Sequence, residues 1–150
     1  MLVHELTLVE CRDVLSRAHI ARLACSRAGQ PYVVPISFTY DSHMNCLFSF
    51  SAIGRKVQWM RENPKVCLEV EEVDDRFHWT TVVVFGRYDE IDDSTEQQHA
   101  RHRALHLFQK HSEWWLPGGA TVAGHEPRAI VVYRIQIESV TGRRAARERT

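Results

Sequence analysis

From Pro31 to Tyr40, large apolar residues recur at every second position: Tyr32, Val34, Ile36, Phe38 and Tyr40. The intervening Val33, Pro35, Ser37 and Thr39 are small or partly polar. A period of two marks a strand with one buried face. Pro35 has no N–H to give to a ladder, which places it on an edge or at a bulge. The small-residue face beside such a gap suits a flat ligand; it equally suits solvent, as on the outside of a barrel.

Similar apolar runs predict strands at His19–Ser26, Cys46–Phe50, Lys65–Glu72, Phe77–Glu90 and Ala129–Thr141. Arg27-Ala-Gly-Gln30 reads as a hairpin loop and Asp41 to Asn45 as a turn. Thr7-Leu-Val-Glu10 is a capping box that opens a short helix through about Ala18. Ser51 reads as the cap of a second helix, running to about Glu62 and stopped by Asn63-Pro64. Ser94-Thr-Glu-Gln97 is a second capping box; it opens the longest helix, to about Ser112, before Pro117-Gly118-Gly119 breaks the chain. Neighbouring strands without intervening helices favour an antiparallel barrel over a doubly wound sheet. Residues 1–142 are expected to form one domain, with 143–150 (RRAARERT) a frayed, disordered basic tail.

Composition narrows the function. A chain of 150 residues is one domain by default. Its 19 basic and 19 acidic residues balance, which argues against an electrostatic nucleic-acid binder. No apolar run approaches the roughly 18 residues of a membrane span, and Met1 to Glu10 lacks a signal-peptide pattern. Cys11, Cys25, Cys46 and Cys67 include no CxxC pair. They read as reduced thiols of a cytoplasmic protein, the last three as buried small residues.

Several segments carry candidate chemistry. Ser51-Ala-Ile-Gly-Arg-Lys56 joins a strand end to a helix start, where free N–H groups and the helix dipole favour an anion. Gly54 allows close approach, and Arg55 and Lys56 add charge, so a phosphate monoester fits; an ordinary helix start with solvated cations fits the same residues. Trp79-Thr80-Thr81-Val82 offers an aromatic and two hydroxyls to the polar edge of a ring, or is simply a good strand. Trp114 and Trp115 either anchor an interface or cover of a ligand, or fill a gap under the long helix. His99, His102 and His106 share a helix face near Arg101 and Arg103, and with no carboxylate or cysteine completing a metal signature they read as solvated. No metal site and no catalytic side chain is singled out.

Taken together, these blocks resemble the flavin-binding split-barrel family related to pyridoxamine 5′-phosphate oxidase, in the branch that includes the nitroimidazole-reductase group. The resemblance is carried by Ile20–Ala24 into Pro31–Phe38, Leu47–Lys56, Asn63–Val70, Trp79–Tyr88, and Arg134 to Arg143. It implies a mainly β (α+β), six-stranded antiparallel split β-barrel with flanking helices, forming a homodimer with FMN at its interface. The family's phosphate turn corresponds to Ser51 through Lys56. Its ring-contacting strands correspond to Val34, Pro35, Ile36 and Ser37 and to Trp79, Thr80, Thr81 and Val82. Trp114 and Trp115 resemble the segment that reaches over the flavin from the partner subunit. Many relatives have a histidine where this chain has Phe50; the nitroimidazole-reductase activity is therefore not implied, and Phe50 is left to pack against the ring system. The tail at 143–150 lacks the Arg-containing substrate signature of the true pyridoxamine-phosphate oxidases, so oxidation of vitamin B6 is not expected. The expected activity is an FMN-dependent oxidoreductase acting on a small molecule, with NAD(P)H as donor. The alternatives are a deazaflavin in place of FMN, a flavin carrier or redox sensor without turnover, and a barrel that has lost its cofactor.

Overall fold

The computed structural model describes residues 1–111 and 129–147. Eight strands form one sheet: β1 (Leu2–Glu5), β2 (Ile20–Arg27), β3 (Gln30–Ser37), β4 (Thr39–Asp41), β5 (Cys46–Ala52), β6 (Lys65–Asp75), β7 (His78–Ile91) and β8 (Ile130–Ala146). Among the described residues three α-helices accompany them: α1 (Leu8–Arg17), α2 (Arg55–Glu62) and α3 (Gln98–Lys110). The strand order is β3-β2-β6-β7-β8-β5-β4, with β1 added alongside β8, and every pairing is antiparallel. Among the described residues no helix is long and apolar enough to cross a membrane.

Eight strands stand where six were expected. The run Pro31–Tyr40 is divided at Phe38, whose N–H donates to His19 O at 2.9 Å. Before it, β3 pairs with β2; after it, β4 pairs with β5. The two ends of the sheet path are thus consecutive in the chain. Their apolar period survives the change of partner, because Ile36 and Phe38 are both buried. The other added strand, β1, lies wholly exposed along the last four residues of β8. That pairing carries β8 to Ala146, so 143–146, expected in the tail, belong to the sheet.

Local chemistry explains the first helix and hairpin. Thr7 N–H donates to Glu10 Oε2 at 2.8 Å and Glu10 N–H to Thr7 Oγ1 at 3.3 Å, the reciprocal bonds of a capping box. α1 buries Cys11, Val14 and Leu15. Gly142 lies against this helix: a Cβ there would meet Cys11 Sγ and Leu6 Cδ1, each at 2.8 Å. Between β2 and β3, Ala28 and Gly29 have φ of 49° and 79°, the pair of positive values that a two-residue hairpin of this twist requires.

The main core gathers Leu15, Leu23, Phe38, Leu47, Leu68 and Tyr133 from α1 and the inner sheet face. A smaller cluster places Cys46, Phe48 and Ile91 against Ala100, Ala104 and Phe108 of α3. Asp41 fastens that helix: Arg103 Nε and a terminal guanidinium nitrogen donate to its two oxygens, each at 3.0 Å. The capping box expected at Ser94 does not form. Gln97 instead accepts from Asp92 N–H at 2.7 Å, and a 3₁₀ turn, Thr95–Gln97, precedes α3.

Candidate functional site

Gly54 is the N-cap of α2; its backbone is extended and no side chain caps the helix. Ser51, expected in that role, is the penultimate residue of the longer β5. It is buried, and its Oγ donates to Ala52 O at 2.8 Å. The first intrahelical bond runs from Gln58 N–H to Gly54 O at 3.0 Å. The N–H groups of Arg55, Lys56 and Val57 therefore have no acceptor within the helix. The first turn contains no acidic residue.

Two cationic residues, Arg55 and Lys56, open this helix. The Arg55 guanidinium lies 5.4 Å from the centroid of the Tyr32 ring. Lys56 is half-buried; burial pushes its ammonium below the ordinary lysine value of 10.5, against a smaller opposing influence from Cys25. Among the described residues neither Arg55 nor Lys56 pairs with a carboxylate. A half-buried lysine without a carboxylate partner among the described residues, in a helix start with unfilled backbone donors, could hold an anion. Its affinity for a phosphate should weaken as pH rises, from below the ordinary lysine range, because lysine binds the anion only while protonated. Titrating FMN affinity against pH checks this: Lys56→Arg, which stays charged, should flatten the fall.

The strand β3 reaches this corner. The Ser37 carbonyl accepts from Ser49 Oγ at 2.7 Å, tying the end of β3 to β5. Val34 and Ile36 turn to the core, whereas Pro35 and Ser37 turn to the outer face. As Pro35 requires, β3 lies at the end of the sheet path. Phe50 points elsewhere: its ring meets that of Phe108 at 5.0 Å in the cluster beneath α3.

The expected second ring strand stands apart. Pro35 pairs with Arg22, Arg22 with Glu69, and Glu69 with Val83, so β2 and β6 separate β3 from β7. Three strand spacings amount to roughly 14 Å. Within that segment Thr80 and Val82 are buried, and Thr80 Oγ1 accepts from Arg144 Nε at 3.3 Å. Trp79 and Thr81 occupy the alternate positions and remain half-exposed. Thr81, Val83, Thr141 and Arg143 line a groove of about 450 Å³. Arg143, the last residue of the resemblance block and the first of the expected tail, is not among the candidate site residues of the sequence; its alternation with Thr141 places both on this face. Trp114 and Trp115 lie outside the described residues. His99, His102 and His106 are exposed.

Comparison with known proteins agrees with this architecture. The pyridoxamine 5′-phosphate oxidase family model matches residues 8–144. An uncharacterized protein of Rhizobium meliloti is 38% identical over 148 residues, covering 97% of each chain. A FAD-binding protein of Mesorhizobium loti is 39% identical, with a TM-score of 0.79 over 98% of this chain and 99% of its own. A FAD-binding protein of Mycobacterium smegmatis shares the fold at 20% identity, with a TM-score of 0.63 over 93% of this chain and 98% of its own. An antiparallel sheet of this order, matched along nearly its whole length, shows that the chain belongs to the pyridoxamine 5′-phosphate oxidase family.

Proposed function

We propose that this protein is a flavin-dependent oxidoreductase that holds the flavin phosphate at Ile53–Lys56. The observation that carries the reading is the pair Arg55 and Lys56, without a carboxylate partner among the described residues, at the uncapped start of α2. FMN is the smallest flavin bearing the phosphate this turn suits. FAD carries the same group with an adenylate attached, and FAD-binding proteins are among the similar structures.

A bound flavin supplies hydride and electron transfer. The chain's part is to hold and orient it. Arg55, Lys56 and the free N–H groups of α2 neutralise the phosphate. Backbone groups of Pro35–Ser37 and the Thr81 hydroxyl would be available to the polar edge of the ring; Thr80 is already engaged by Arg144.

The separation of β3 from β7 gives this scheme a second protomer. In the homodimer of this reading, the β7 surface of one copy would face the β3 corner of the other. The outer face carries exposed apolar residues suited to burial there: Val33 (61%), Ile20 (48%) and Phe85 (53%). The electron donor in this reading is NAD(P)H, the acceptor a small molecule and the compartment the cytoplasm, where free thiols such as those described persist. A flavin carrier or redox sensor without turnover is the second reading. It is favoured by the site residues named above, none of which is a carboxylate or an imidazole.

Absorbance after addition of FMN and desalting tests the proposal. Retained flavin, bleached anaerobically by NAD(P)H and reoxidised by an acceptor, is the expected result. Retention without turnover across a donor and acceptor panel would favour the carrier, and no retention would reject both. Light scattering should give twice the chain mass.

A further inference from the structure

The cationic start of α2 continues into a ladder of rings and guanidinium groups. The Arg55 guanidinium carbon lies 5.4 Å from the Tyr32 centroid. Tyr32 lies 5.5 Å from Trp59, the rings inclined at 58°. The Arg27 guanidinium carbon lies 4.9 Å from the Trp59 centroid. Three elements build this strip: β2 ends at Arg27, β3 supplies Tyr32, and α2 brings Trp59 one turn beyond Arg55. Asn63 locks the corner by donating to Ser26 O at 3.2 Å and Ser26 Oγ at 3.1 Å.

Packing accounts for the inner sides of both rings, which border the main core. Both remain half-exposed, and both guanidinium groups are exposed. Arg27 meets Glu62 only at 3.4 Å, and Arg55 has no carboxylate among the described residues. Nucleobases stack on aromatic faces and on guanidinium planes. A base that carries phosphates needs both surfaces in one strip, with the charge at one end. FMN held by its terminal phosphate at the start of α2 would have no second group to place on Trp59 and Arg27.

We propose that Tyr32, Trp59 and Arg27 receive the adenine of a dinucleotide whose phosphates lie at the start of α2. This rests on the flavin-phosphate reading of that turn. Two dinucleotide classes carry the same ADP half: FAD as the bound cofactor, or a nicotinamide dinucleotide whose phosphates share the cations of this turn with the phosphate of bound FMN.

Purified flavin-free protein should be titrated with FMN, FAD and ADP-ribose, and FMN-loaded protein with ADP-ribose. If FAD is the source, it binds about tenfold more tightly than FMN; Trp59→Leu and Arg27→Ala each remove most of that advantage and leave FMN affinity unchanged. If the nicotinamide dinucleotide is the source, FAD and FMN bind alike, and ADP-ribose binds FMN-loaded protein in a way both variants weaken. Arg27→Ala alters only an exposed side chain, so it decides the matter if Trp59→Leu fails to fold. FAD and FMN binding alike, with no ADP-ribose binding to the FMN-loaded protein, overturns the proposal. An equal loss of FMN and FAD affinity in Arg27→Ala overturns it too. If no flavin binds, it is the phosphate reading that fails; ADP-ribose binding weakened by Arg27→Ala would still support the ladder, and its absence would reject it.

Discussion

A double variant, Arg55→Ala with Lys56→Ala, should bind FMN about a hundredfold more weakly than the native chain. Each cation offers the phosphate a charge-assisted hydrogen bond, of order 1.5–3 kcal/mol when a charged group takes part. Two such losses, partly offset by the remaining backbone donors, come to about 3 kcal/mol, or roughly two decades of affinity. The fold should survive, because Arg55 is exposed and neither residue is joined to a carboxylate among the described residues. Riboflavin, which has no phosphate, provides the control. Its affinity should be unchanged in the double variant, while that of FMN falls towards it. Equal losses for both ligands would point to damage at the ring site; unchanged FMN binding would remove the phosphate from this turn.

The second large effect concerns stability. Asp41→Ala should lower the unfolding free energy by about 3 kcal/mol, the scale of breaking a buried ion pair from one side. The Asp41 side chain is 0% exposed, whereas Arg103 keeps 31% of its surface. Removing the carboxylate strips Arg103 of both 3.0 Å bonds and leaves His43 N–H without its 3.0 Å acceptor. The α3 cluster around Phe108 should loosen with it. The double variant Asp41→Ala, Arg103→Met should recover part of the loss, because no guanidinium is then stranded. Acid offers a separate test. Burial alone would raise the Asp41 carboxyl, but the bonds from Arg103 and the His43 N–H outweigh it and hold the group below its ordinary 3.8. A carboxylate depressed in the folded state stabilises above its unfolded pKa, and that contribution disappears as pH falls through the folded pKa. Urea unfolding of native and Asp41→Asn proteins should therefore differ most near neutrality and converge below about pH 4.

Signals contained within a few residues were legible in the sequence. Thr7 and Glu10 satisfy one another wherever the chain goes next, and Ala28-Gly29 turns on its own dihedral angles. The alternation from Tyr32 to Tyr40 marked the correct inner face, though it carried no sign that the strand changes neighbours at Phe38. Misreadings arose where a distant partner decides. Ser51 resembles a helix cap, yet β5 continues past it because Ser51 pairs with Val131 and Ala52 with Ile130. Arg143 and Arg144 resemble a tail, yet Glu5 and His4 pair with them. The cations of the candidate site were legible because Gly54, Arg55 and Lys56 are contiguous. Trp59 and Arg27 were not, because a helix, a strand and a hairpin end must meet before they adjoin Tyr32.

β8 also governs when the sheet can be completed. It is the shared neighbour of β1, β5 and β7, and it emerges from the ribosome after all of them. Until residues 130–146 appear, those three strands keep rows of N–H and C=O groups open to other chains. The pairing of Leu2 with Ala146 joins residues far apart in the sequence, a contact slow to close by diffusion of the chain. Assembly of the sheet therefore waits for β8. A nascent chain stalled before β8 would expose the strand edges most open to aggregation.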